Sequence, residues 1–309
     1  MAKTCIAAFY HFANLDNYVD IQARLLQECI KENIMGTVLL AKEGINGTIA
    51  GSNSSIKNIL TYIRSDHRLR ELIHKVSYAE KPPFLRMKVR LKKEIVTMGV
   101  PNVNPENTVG TYITPTEWNN LILDPDVITI DTRNNYEIEI GSFANSINPN
   151  TTSFREFPEW VKKNKSILKN KKIAMFCTGG IRCEKSTSYL KESGYKEVFH
   201  LKGGILKYLE EVPPKESLWR GECFVFDERV SVGHDLEIGS YDLCHACRHT
   251  ITEKDKLSSL YKLGISCPRC YEITSVNQKK RFTERQKQMD LAKARNEEHI
   301  GSKSMPPRK

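Results

Sequence analysis

The stretch that most restricts the fold is Lys172–Ser186, KIAMFCTGGIRCEKS. An apolar strand (KIAMF) runs into Cys177, two glycines follow, and a helix from about Cys183 to Ser193 ends at Gly194. In open α/β sheets, ligands bind at the carboxyl ends of strands, which is where Cys177 falls. Gly179 and Gly180 let the loop curl so that successive N–H groups point inward as an anion nest. The following helix N-terminus adds positive potential, and Arg182 adds a full charge. Each effect favours the Cys177 thiolate over the thiol. Cys177 and Arg182 are the candidate catalytic residues, with Thr178, Gly179, Gly180 and Ile181 as the nest; the alternative is a structural cysteine before a turn. No arginine stands five or six residues after Cys183, so Cys183 is not the primary nucleophile. It either resolves an oxidised Cys177 as a disulfide or packs on the helix.

The surroundings of this loop alternate strand and helix. Val127–Ile130, Lys172–Phe176 and Val198–Leu201 read as buried strands, and Pro115–Leu123 as a helix with Thr114 and Glu117 in a capping box. This order predicts a parallel sheet with helices on both faces. Asp131 is read as a helix cap and Arg133 as a partner of Glu137, both scaffold. Residues 99–113 read as a linker.

The first hundred residues follow another pattern. Strands at Cys5–Phe12, Thr37–Ala41, Gly47–Gly51 and about 73–79 enclose two helices, the first capped by Asn14 or Asp16 and the second by Asn53–Ser55. Asn46-Gly47 reads as a turn. The order βαββαβ predicts a ferredoxin-like α+β sandwich. Beyond it, Leu85–Lys92 (LRMKVRLK) alternates perfectly. Leu85, Met87, Val89 and Leu91 face one side; Arg86, Lys88, Arg90 and Lys92 face the other, about 6.5–7 Å apart. That spacing resembles the phosphates of a nucleic-acid strand; a solvated edge strand is the alternative. The net charge is +10, and Lys279–Lys309 carries ten Lys and Arg against four acids. The tail reads as a solvated, partly disordered segment or as an RNA-grazing arm.

Nine cysteines are an odd number, and four form two Cys-x2-Cys pairs nineteen residues apart. This points to cytoplasmic metal or thiol chemistry, not a disulfide scaffold. Cys244, Cys247, Cys267 and Cys270 are the expected ligands of one structural zinc, closed to water; reduced or disulfide-paired cysteines are the alternative. His245 and His249 are nearby substitutes. Cys5, Cys29 and Cys223 read as small hydrophobes. No apolar run approaches the roughly 20 residues of a spanning helix, so no membrane is expected. The opening MAKTCI lacks the apolar stretch of a secretory signal.

Asp131-Thr132-Arg133 with Tyr136-Glu137-Ile138 and Gly141-Ser142-Phe143, the CTGGIR loop, and Leu201-Lys202-Gly203-Gly204-Ile205 together resemble the rhodanese domain over about 110–215. Related phosphatases use Cys-x5-Arg for a phosphoryl group; this loop is Cys-x4-Arg with Cys at 183. With Ala41–Gly51 (AKEGINGTIAG) and CTGGIRCEKS, the whole chain resembles the bacterial tRNA uridine-34 hydroxylase family. The resemblance implies oxygen-dependent hydroxylation of the wobble uridine to 5-hydroxyuridine. Molecular oxygen would be a substrate and Cys177 the reactive group. The implied partner is tRNA at its anticodon. No flavin or nicotinamide fingerprint is visible, and the electron donor is unknown. The alternatives are a thiosulfate or persulfide sulfurtransferase with a cysteine persulfide, and a non-enzymatic tRNA or ribosome adaptor. The expected organisation is an α/β chain: a ferredoxin-like domain (1–100), a rhodanese domain (110–215), a Cys-rich zinc-ribbon-like module (216–278) and a basic tail (279–309).

Overall fold

The computed structural model describes residues 3–80 and 82–295. The tail cations Lys303, Arg308 and Lys309 lie outside the described residues.

The first unit runs β1 (Thr4–Phe12), α1 (Tyr18–Lys31), β2 (Met35–Ala41), β3 (Gly44–Gly51), α2 (Asn53–Arg64), β4 (Ile73–Ala79) and β5 (Met87–Leu91). Its sheet has the order β4-β1-β3-β2-β5, antiparallel except where β5 joins β2 in parallel. Apolar residues at helical spacing, Leu25 and Cys29 on α1 and Ile56, Ile59, Leu60 and Ile63 on α2, cover one face of the sheet. They meet Ala7, Phe9, Val38, Ile45, Ile49 and Val89. Strand alternation sends the intervening residues to the open face. There Lys75, Ala8, Thr48, Thr37 and Lys88 stand in register, one from each strand.

Several local expectations change. Asn46-Gly47 lies inside β3, because the reversal is made by Lys42 and Glu43 between the paired Ala41 and Gly44. Gly44 has φ +138°, and a Cβ there would sit 2.1 Å from the His11 carbonyl, so this hairpin requires glycine. Asn17 precedes α1, not Asn14 or Asp16, and Ser52 caps α2 by accepting from the Ser55 N–H. β5 is shorter than Leu85–Lys92. Val89 is buried, whereas Leu85 and Leu91 are exposed, since an edge strand has core beneath its centre only.

The second unit comprises β6 (Thr111–Ile113), α3 (Pro115–Leu123), β7 (Val127–Asp131), α4 (Asn135–Ile138), β8 (Gly141–Phe143), α5 (Phe157–Lys163), α6 (Lys165–Leu168), β9 (Lys172–Phe176), α7 (Ile181–Glu192), β10 (Val198–Leu201) and α8 (Gly204–Glu211). The sheet is parallel, in the order β6-β10-β9-β7. Residues 111–113, expected as linker, supply its edge strand. Alternate residues of β9 feed two cores. Ile173 and Met175 pack with Phe157, Val161 and Leu190, while Ala174 and Phe176 pack with Trp118, Ile205 and Tyr208. Helices therefore lie on both faces, as the pattern requires.

The remaining chain forms β11 (Trp219–Gly221), β12 (Cys223–Phe224), β13 (Ser231–Val232), β14 (Asp242–Leu243), β15 (Thr250–Ile251), α9 (Glu253–Lys256) and α10 (Val276–Ala294). Trp219, Cys223, Val225 and Val232 join the Trp118 core. Much of the described tail is helix: α10 starts with a Ser275–Gln278 capping box, and Arg285 ties it to the carbonyls of His245 and Gly264 at 3.0 and 2.7 Å. Among the described residues, no helix is long and apolar enough to cross a membrane.

Candidate active site

Cys177 leaves the carboxyl end of β9 and is 1% exposed. The loop after it is held by its carbonyls. Those of Cys177 and Thr178 accept from the N–H groups of Ile205 and Leu206, at the start of α8, at 2.9 and 3.1 Å. Gly204 must be glycine for this: its φ is +67°, and a Cβ would lie 2.5 Å from the Cys177 carbonyl. With the carbonyls turned outward, the Gly180 N–H donates to Cys177 Sγ at 3.2 Å. Burial opposes ionisation of Cys177. The Cys183 thiol, the Arg182 charge and the Cys183 and Gly180 N–H groups outweigh it and bring the pKa down to about 5. Cys183 is fully buried beside this sulfur and touches Thr132 Oγ1 at 3.6 Å; burial and the Cys177 charge push its own thiol up.

Arg182 does not point its guanidinium at the nest. Both arms bind Glu137, at 2.7 Å each, and a third bond reaches Thr178 Oγ1 at 3.3 Å. The Glu137 carboxylate is therefore taken, and Arg133 reaches only the Glu137 backbone carbonyl, at 3.3 Å. That arginine forms a fully buried fork with Asp131 at 2.9 and 2.6 Å and also reaches the Gly141 carbonyl. Asp131 accepts from Ser142 at 2.7 Å and ties β7 to β8 instead of capping a helix; Asn134 caps α4. Both remain scaffold. Ile181 packs against the cluster of Phe12, Ala41 and Ile95 from the first unit.

The first unit thus forms part of the site, which sequence reasoning missed. Tyr10 donates to Glu184 Oε1 at 2.7 Å. Tyr112 of β6 also contacts Glu184, whose carboxyl is raised by burial. Lys75 donates to the Gly179 carbonyl at 3.1 Å and to that of Gly203. Burial lowers Lys75 to about 8, against the opposing pull of the Cys177 charge. One turn along α7, Lys185 is 1% exposed and binds Glu43 at 2.7 and 2.9 Å, Glu94 at 2.5 Å and the Val96 carbonyl at 3.1 Å. Glu43 sits in AKEGINGTIAG and Glu184 and Lys185 in CTGGIRCEKS, so both sequence motifs contain the contact residues.

Residues 4–95 match the UPF0176 acylphosphatase-like domain, and residues 114–211 match the rhodanese-like domain. The pairing of these two domains matches the UPF0176 family. Among solved structures, a protein of unknown function from Rhodopseudomonas palustris, described as a possible tyrosine phosphatase, is 22% identical; the match covers 34% of this chain and 82% of that one, with a TM-score of 0.30. A rhodanese-related protein from Thermoplasma volcanium is 28% identical over 34% of this chain and 95% of its own, with a TM-score of 0.28. The rhodanese-like domain of an Anabaena protein is 16% identical over 36% and 78%, with a TM-score of 0.30.

A second cluster lies apart from the rhodanese-like loop. The sulfurs of Cys244, Cys247, Cys267 and Cys270 all lie within 4.8 Å of one another. The Cys244–Cys270 sulfurs are 4.0 Å apart, and the Cys247–Cys267 and Cys267–Cys270 pairs 3.7 Å each. A tetrahedron of sulfurs about 2.3 Å from zinc has edges of about 3.8 Å, whereas a disulfide needs about 2.05 Å. The four cysteines fit a zinc ion. His249 is not needed as a ligand; its carbonyl accepts the Cys244 N–H. Cys5, Cys29 and Cys223 are buried among apolar side chains. Arg86, Lys88 and Arg90 line the β5 edge beside the open sheet face, and their charges are close enough for Arg86 and Arg90 to lower the Lys88 ammonium, chiefly depressed by burial. Lys92 follows, exposed.

Proposed function

We propose that this protein hydroxylates C5 of the wobble uridine of tRNA with molecular oxygen, and that Cys177 is the reactive residue. One observation carries this reading beyond the sequence resemblance. The Cys177 loop is shared with a sheet whose open face runs from Lys75, at the loop, to the cationic β5 edge. Transfer of sulfur to a small thiol needs no such extension; an RNA substrate does. In this reading Arg86, Lys88, Arg90 and Lys92 hold phosphates while a splayed base enters above Cys177. The Gly180 and Cys183 N–H groups stabilise negative charge on sulfur. Arg182 fixes the loop through Glu137 and contributes positive potential, and Cys183 resolves oxidised Cys177. One oxygen atom goes to C5. The other leaves as water, taking two electrons and two protons from a two-electron reductant. Zinc at Cys244, Cys247, Cys267 and Cys270 holds the third module together and takes no part in the reaction.

A second reading is sulfur transfer through a Cys177 persulfide. It is favoured by the six-residue loop and the lowered thiol of a rhodanese-like domain. Both are tested with unmodified tRNA, purified protein and a reductant, with and without oxygen, followed by nucleoside mass spectrometry. Oxygen-dependent 5-hydroxyuridine that Cys177→Ser abolishes is expected. Unaltered tRNA together with thiosulfate-to-cyanide sulfur transfer would replace the first reading with the second.

A further inference from the structure

The loop after Cys177 works only if its peptides keep one orientation. Each peptide plane carries a carbonyl on one side and an N–H on the other, so fixing the carbonyl aims the N–H. Helix α8 fixes the first two carbonyls, those of Cys177 and Thr178. The third, that of Gly179, accepts from no N–H of α8. Its partner is Lys75, 104 residues earlier in the chain and on a different domain. The N–H of that same Gly179–Gly180 peptide is the one that donates to Cys177 Sγ at 3.2 Å. Gly180 has φ +109°, and nothing lies within 4 Å of a Cβ built at Gly179, so the two glycines offer little resistance to a flip of their shared peptide.

We propose that Lys75 is a positioning residue for Cys177. By holding the Gly179 carbonyl it keeps the Gly180 N–H on the sulfur, so the full thiolate cradle is assembled only while the first domain is docked. The inference rests on the reading of Cys177 as the reactive thiol, but its test reads the sulfur itself. Docking is secured independently by the Lys185 cluster on the next turn of α7 and by Tyr10 on Glu184. An RNA that draws the sheet away from the loop removes one donor from the sulfur; one that seats the sheet firmly keeps it.

The experiment follows alkylation of Cys177 in the full chain against pH, with the Cys177 peptide quantified by mass spectrometry. The midpoint reports the thiolate, and the high-pH plateau reports access to a buried sulfur. The groups facing the sulfur are Cys183, Arg182, Glu184, Tyr10 and Lys75; Lys207, Glu210 and Cys223 face Lys75. All except Lys75 stay in place in Lys75→Met, Lys75→Gln and Lys75→Arg. Lys75→Met is expected to raise the midpoint by about one unit, a tenfold loss of thiolate below it. Lys75→Arg and the neutral donor Lys75→Gln are expected to recover most of the shift, since both still reach a carbonyl. An unchanged midpoint in Lys75→Met overturns the proposal. Equal shifts in Lys75→Met and Lys75→Gln, with rescue by Lys75→Arg alone, overturn it in favour of bare charge. A normal midpoint shift with full tRNA activity in Cys177→Ser would instead sink the assignment of Cys177 and leave the Lys75 contact standing.

Discussion

Replacing Lys185 with methionine tests how the two domains are joined. Methionine keeps the apolar stem and removes the ammonium, so packing changes little. Lys185 is 1% exposed and serves two carboxylates at once, Glu43 and Glu94, whose side chains are 23% and 18% exposed. Removing one partner of a buried ion pair costs about 3–5 kcal/mol, because the other charge stays behind. Water reaches part of both carboxylates here, which places the expected loss near the lower end, about 3 kcal/mol. For a cooperative unit of this size that corresponds to a drop of about 6–12 °C in Tm. Circular dichroism on heating measures it, and limited proteolysis between β5 and β6 reports undocking. The decisive control is Lys185→Met with Glu43→Gln and Glu94→Gln. With the stranded charges gone, well over half of the loss should return. pH gives a second check. Burial raises the Glu94 carboxyl, but Lys185 and the Met98 and Gly99 N–H groups win and hold it below its ordinary 4.5. Its contribution is therefore complete above pH 4.5 and lost as pH falls through the lowered value. The gap between Lys185→Met and wild type should narrow there. A loss below about 1 kcal/mol, or a triple variant no better than the single one, would refute the electrostatic argument.

Other expectations follow from the same geometry. Cys177→Ser should abolish turnover with the fold intact, because a serine hydroxyl does not ionise at neutral pH; wild-type turnover in the purified variant would remove Cys177 from the mechanism. Elemental analysis of protein purified without chelator should find one zinc per chain, and Cys267→Ser should lower that content and the thermal stability of the module together. Four free thiols and no metal would contradict the tetrahedral fit. Arg86→Glu with Lys88→Glu should weaken tRNA binding and flatten its salt dependence by roughly 0.7–0.9 log–log units per lost phosphate contact. An unchanged affinity and slope would leave β5 as a solvated edge.

What the sequence reveals here is what local spacing can encode. The strands at Val127, Lys172 and Val198 are apolar runs bounded by turns, and the two Cys-x2-Cys pairs bring their own geometry. Spacing fails where a distant group competes. Arg133 and Glu137 stand four apart and read as partners, yet Arg133 reaches only the Glu137 backbone carbonyl, while the carboxylate binds Arg182, 45 residues on. Nothing in the spacing around Lys185 marks it for burial; the carboxylates that bind it, Glu43 and Glu94, come from the other domain. Tyr10 and Lys75 alternate correctly along their strands, but period two says only that they leave the helical face, not that another domain waits there. Glu43 lies in one recognisable motif and Lys185 in the other, and neither motif alone reveals that the two side chains meet.

The depth of Cys177 also has a consequence for the life of the protein under oxidative stress. An ionised thiol at neutral pH is ordinarily captured by glutathione disulfide, a reaction that needs the attacking sulfur in line with a bulky S–S bond. While the sheet is docked, with Tyr10 and Lys75 seated on the loop, Cys177 is 1% exposed and offers no such line; an entering base would gain one only by displacing those contacts. Dioxygen and peroxide, being far smaller and with no S–S bond to align, face the lesser barrier. The enclosure therefore acts as a size filter on damage: it favours sulfenylation, which the adjacent Cys183 can recapture, over a glutathione adduct that a cell would have to remove enzymatically.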